Sequence, residues 1–154
     1  IGNVNLLNGL NKMAEIKYES KIGTIPANDK KVFEVLSNLE NLNYFKNTIP
    51  EDKIKDLEIF PDRVRFKIDS LAQKLAIVIV DKEEYKMIKF GAENIPIPLN
   101  IWIQLKYIYE QETKVRITIK TDMPIMFKMM FDKKMQLGLD QAVDMLCQVP
   151  YHTL

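Results

Sequence analysis

Pro124–Cys147, PIMFKMMFDKKMQLGLDQAVDMLC, reads as one long amphipathic helix that closes the chain. Between Lys53 and Met123 the pattern is strand after strand, with no helix between them. A lone long helix can bury its apolar face only against such a sheet. Six of the eight methionines (Met123, Met126, Met129, Met130, Met135, Met145) lie on this helix or at its entry. Methionine is unbranched and polarizable, and it suits surfaces that adapt in shape. A soft-faced helix across a curved sheet is expected to wall a hydrophobic cavity. Asp122 is expected to cap the helix, Pro124 suits its first turn, and Pro150 ends it. Its apolar stripe is expected to run through Phe127, Met130, Phe131, Leu137 or Gly138, Ala142, Met145 and Leu146. Gly138 costs about 1 kcal/mol relative to alanine inside a helix. Close packing on the sheet is its expected reason, ahead of space for a ligand.

Upstream, Leu99–Glu110 and Lys114–Thr121 form the clearest hairpin. Leu105 and Tyr107 lie on the inward face of its first arm with Ile101 and Ile103, and Ile117 on that of the second with Ile119. Arg63–Leu71 alternates through Val64, Phe66 and Ile68. Leu75–Val80 is a continuous apolar run, and Met87–Ala92, with Phe90, is a shorter strand. The NIPIP segment at 94–98 must be loop or edge, because proline cannot donate to a ladder. The strands are linked by short turns, so the sheet should be antiparallel.

At the other end, Ile16–Ile25 alternates as one half-buried strand, with Ile16, Tyr18, Ser20, Ile22 and Thr24 on one face. Asn28 or Asp29 then caps a helix carrying Val32, Phe33, Leu36 and Leu39. A second short helical turn, about Glu40 to Lys46, buries Leu42 and Phe45. Residues 1–12, rich in Asn and Gly, are expected to be an extension outside the core, with Met13 looking like a natural start.

Composition excludes more than it selects. The 154 residues fit one domain, and 22 basic against 21 acidic side chains create no field for nucleic acid. No apolar run approaches the roughly 20 residues of a membrane-spanning helix. The single cysteine, Cys147, cannot form an internal disulfide, and a cytoplasmic location is the expectation. There is no metal-ligand spacing, nucleophile motif or phosphate loop, and therefore no expected catalytic residue, metal or cofactor. The only histidine, His152, is expected to sit in a frayed terminus, and Cys147 to be a small buried apolar group.

Two stretches carry a resemblance. One is Tyr18–Phe45, YESKIGTIPANDKKVFEVLSNLENLNYF. Its strand ends in a small turn before a helix and then a short helix, with Ile25, Pro26, Ala27, Val32, Phe33 and Leu36 in the corresponding places. The other is Val115–Cys147, a last strand running through Asp122 and Pro124 into the long helix. Together they resemble the Bet v 1-like, or START-like (SRPBCC, polyketide cyclase/dehydratase-type), superfamily. The resemblance implies an α+β helix-grip fold. A curved seven-stranded antiparallel sheet would carry two short helices after its first strand and a long C-terminal helix across its concave face. Residues 13–154 would form a single START-like ligand-binding domain. A cystatin-like cone places its long helix before the sheet, and the order here argues against it.

The resemblance further implies a cavity between sheet and final helix. Its expected lining is Tyr18, Phe66, Ile68, Phe90, Ile103, Leu105, Tyr107 and Ile117 from the strands, with Phe127, Met130, Phe131 and Met135 from the helix. The phenols of Tyr18 and Tyr107 would bring polar groups into an apolar wall. The leading expectation is binding or transport of a small hydrophobic ligand such as a lipid, isoprenoid or polyketide-like molecule. The alternatives are a polyketide cyclase, aromatase or dehydratase-type enzyme, or a protein-interaction module of the same fold. Arg65 and Asp69 are expected to face away from the cavity, as is Trp102. Homodimerisation through the Trp102 surface is left open.

Overall fold

Alternating apolar side chains pair into rows that run across neighbouring strands of the sheet. Tyr18, Ile119, Ile101, Phe90 and Ile79 oppose one another on successive strands, and Ile117, Ile103 and Ile88 form the next row. The period of two puts both rows on one face. The structure is a computed structural model describing residues 9, 11–48, 52–68 and 72–154. Its strands are β1 (Met13–Glu19), β2 (Gly23–Ile25), β3 (Lys55–Ile59), β4 (Arg63–Lys67), β5 (Leu75–Glu83), β6 (Met87–Glu93), β7 (Leu99–Tyr109) and β8 (Glu112–Pro124). They form one antiparallel sheet in the order β1-β8-β7-β6-β5-β4-β3, with β2 also on β8. The helices are α1 (Asp29–Leu36), capped by Asn28, and α2 (Ile125–Gln148). A 3₁₀ stretch covers Leu39–Thr48, and a final 3₁₀ turn covers Tyr151–Thr153. This is the α+β helix-grip arrangement expected from the sequence.

The first strand departs from expectation: it is broken in two. Ser20 N–H donates to the Ile117 carbonyl at 2.8 Å, and its hydroxyl both accepts from Ile117 N–H at 2.8 Å and donates to the Lys21 carbonyl at 2.7 Å. Glu19 opposes Thr118 while Gly23 opposes Val115, so four steps on one side match three on the other. The extra residue reverses the faces. Ile22 and Thr24, expected inward, are exposed, and Ile25 is fully buried instead. Beyond Lys67 the expected length of β4 also changes. Ile68 follows the strand half-buried, and residues 69–71, including Asp69, lie outside the described residues, as does most of 1–12.

Helix α2 lies over β8, β1 and β2. Leu139 and Val143 are its fully buried residues, joining Ile25, Val32, Val115 and Tyr151 in the core. Gly23 permits this approach: a Cβ there would sit 2.5 Å from Val143 Cγ1 and 2.6 Å from Cys147 Sγ. Gly138 does not have the expected packing reason, since nothing lies within 4 Å of where its Cβ would be. Asp122 does not cap the helix. It pairs with Glu15 inside the sheet, and α2 starts after Pro124 without a side-chain cap. The C-terminus is tied down instead of frayed, because Tyr151 is buried with its hydroxyl donating to the Leu146 carbonyl at 2.7 Å. His152 Nε2 lies 2.9 Å from the Pro26 carbonyl oxygen.

At the far edge, β3 changes register against β4 between Lys55 and Glu58, where Asp56 takes a left-handed φ of 53°. On the convex face Trp102 is half-buried, with the ammonium groups of Lys89 and Lys120 at 5.2 and 5.7 Å from its ring centre. Arg65 is exposed and pairs with Glu58, as its outward position requires.

Candidate functional site

The 3₁₀ stretch supplies one wall of a cavity. Three residues per turn put Leu39, Leu42 and Phe45 above one another, and all three face the same hollow. Val35 and Leu36 continue that wall from the end of α1. Phe90 and Ile103, diagonal neighbours on β6 and β7, form the floor, while Met145 and Leu146 near the end of α2 and Val149 just past it line the remaining side. The cavity measures about 150 Å³. Its described polar neighbours are Asn38 and Asn41. Asn38 Oδ1 accepts from Glu40 N–H at 3.1 Å, and Asn41 Nδ2 donates to the Val35 carbonyl at 2.8 Å. Both amides thus brace the wall's own backbone. None of the described lining residues is ionisable.

The cavity brings together only two of the residues expected from the sequence, Phe90 and Ile103. Leu105 and Ile117 share their face but are buried in the core. Met135 is half-buried against that core. Phe66 is half-buried on β4, toward the far edge, and Ile68 lies just past that strand. Tyr107 is 51% exposed near the tip of the β7–β8 hairpin. Phe127, Met130 and Phe131 do not pack on the sheet: they are 42%, 63% and 39% exposed. The helix turns Lys128, Asp132 and Met135 toward β1 and the core, which leaves these three on its open sides. Phe127 and Phe131 stack on each other, with ring centres 6.3 Å apart and planes 11° apart. By helical spacing they share a flank with Gly138, Ala142 and Met145, the last of which lines the cavity.

Tyr18 is placed differently from a cavity-lining phenol. Its hydroxyl donates to Asp132 Oδ1 at 2.8 Å, and Lys128 Nζ holds Oδ2 of the same carboxylate at 2.8 Å. Burial, then the Asp132 hydrogen bond and charge, pushes the Tyr18 phenol up to about 12. Asp132 is held below its ordinary range, first by Lys128 and then by Tyr18. These groups sit in a shallow polar cleft with Lys17, Lys133 and Gln136, separate from the apolar cavity. Burial raises the Cys147 thiol, and likewise the Tyr151 phenol. Among the described residues no cluster of His, Cys, Asp or Glu could hold a metal ion, and no helix is long and apolar enough to cross a membrane.

No protein-family model and no curated protein matches the sequence. Solved structures do match the fold. The chain carries the helix-grip fold of the Bet v 1-like group. Truncated norcoclaurine synthase from Thalictrum flavum superposes with a TM-score of 0.62 at 9% identity, over 88% of this chain and 91% of that one. The same enzyme in complex with dopamine and hydroxybenzaldehyde gives 0.60 at 12% identity, covering 93% and 90%. A conserved protein from Geobacillus kaustophilus gives 0.59 at 14% identity, covering 91% and 96%.

Proposed function

We propose that this protein, with residues 13–154 as its single ligand-binding domain, binds a small hydrophobic molecule between sheet and C-terminal helix and carries it in the cytoplasm. The observation that carries this reading is the apolar cavity of about 150 Å³, lined by α1, the 3₁₀ wall and the end of α2. A dry apolar cavity of about that size takes a guest as large as one benzene ring. A lipid, isoprenoid or polyketide-like molecule would place one ring or a short acyl segment there, over Phe90 and Ile103. Its remainder would follow the Phe127–Phe131 flank. Apolar burial, at about 25 cal/mol per Å², would drive binding. Tyr18 takes no orienting role in this reading, because its hydroxyl is already given to Asp132. The related fold that holds dopamine and hydroxybenzaldehyde supports an aromatic guest. Cyclase or dehydratase chemistry would need a general acid or base within reach of substrate, and the described lining offers only amides engaged with backbone.

Native mass spectrometry of undenatured protein tests the reading. The expected result is a retained apolar adduct, or uptake of an added anilinonaphthalene dye, both lost in a folded Ile103→Trp variant that fills the cavity. A bare polypeptide mass with no dye uptake would overturn it.

A further inference from the structure

The first ten residues of α2 leave an apolar surface uncovered. Met126, Phe127, Met129, Met130 and Phe131 are all exposed, Met129 to 70%. The same stretch carries Lys128, Lys133 and Lys134 against a single acid, Asp132. That carboxylate is turned inward, shared by Tyr18 and Lys128. Lys133 and Lys134 are exposed and make no ion pair among the described residues. Ile125 N–H donates to the Lys12 carbonyl at 3.2 Å, which puts one more lysine beside the start of the helix. Lys128 is accounted for by its ion pair with Asp132, whereas Lys133 and Lys134, two turns into the helix, have no such pairing among the described residues. The acids Asp140 and Asp144 farther along are accounted for by Lys21, whose backbone N–H and Nζ they bind.

We propose that this half of α2 docks on an anionic lipid membrane surface. Unbranched methionines flanked by lysines match what an interfacial helix needs: apolar side chains that sink among acyl chains and cations that meet lipid phosphates. A second copy of this chain fits poorly. It would set lysines against lysines, and ten helical residues offer a strip only about 15 Å long, too small a face to supply the roughly 800 Å² per partner of a stable interface. The basic excess is also local, since the whole chain carries a formal charge of only +1.

Vesicle flotation tests the assignment, using phosphatidylcholine alone or with about one-third phosphatidylserine. The full chain is expected to float with the anionic vesicles at low salt and to stay below with the neutral ones. Lys133→Glu/Lys134→Glu is expected to reduce the bound fraction at least about tenfold. Met129→Ser/Met130→Ser is expected to reduce it as well, with an unchanged melting temperature. Wild-type protein that stays unbound to anionic vesicles would overturn the proposal, as would binding that both double variants leave intact. A concentration-dependent dimer abolished by Met129→Ser/Met130→Ser, without vesicle binding, would give the face to a second copy instead. None of these outcomes depends on whether the cavity holds a guest.

Discussion

Two residues carry constraints that can be tested singly. Gly23 is where α2 comes closest to the sheet. Adding one methyl group drives it into both Val143 and Cys147, one turn apart on the same face of α2. Overpacking of this kind costs about 1–3 kcal/mol, so Gly23→Ala is expected to lower the denaturation midpoint in urea with an unchanged slope. Tyr18 makes a pH-dependent contribution. Its phenol is raised from 10 in the unfolded chain to about 12 in the fold. Between those values the folded state holds a proton that the unfolded state has lost, so stability falls as pH rises across the window. Tyr18→Phe should flatten that slope in melting temperatures measured from pH 9 upward, roughly the foot of the transition. Tyr151, also raised by burial, will retain part of it.

At the scale of elements, α2 shows why strands were easier to read than the helix's orientation. In β7 and β8 one parity is apolar and the other polar, and that decides which side faces inward. In the first half of α2 apolar residues point in nearly every direction, so periodicity alone cannot select the face that meets the sheet. The selection comes from Asp132, which accepts from the Tyr18 hydroxyl on β1, and from Lys128, which pairs with the same carboxylate. That is why periodicity puts Phe127, Met130 and Phe131 in the cavity lining while the structure leaves them exposed. The cavity wall is hard to read in the sequence for another reason. Leu39, Leu42 and Phe45 repeat every three residues, a 3₁₀ signal that a search at 3.6 dilutes. The break after Glu19 depends on one hydroxyl substituting for backbone pairing, and no alternation of side chains announces it. Gly138 then yields a clear expectation for the element. It is exposed, helical and touches nothing, so Gly138→Ala should stabilise the protein by about 1 kcal/mol, read as a higher melting temperature.

Across the whole molecule, the two sides of the sheet are treated unequally. The β1–β8 side is covered by α2, and the middle by α1 and the 3₁₀ stretch. On the far side the sheet order ends at β3, which meets the 3₁₀ stretch. A straight border of unpaired amide and carbonyl groups invites another sheet to continue it. Here the border is interrupted by the register change after Lys55 and by the left-handed turn of Asp56, with charged Lys55, Asp56 and Glu58 along it. An incoming strand would find no matching run of partners. The irregularity in β3 therefore makes this edge a poor template for an added strand, and so for fibril growth.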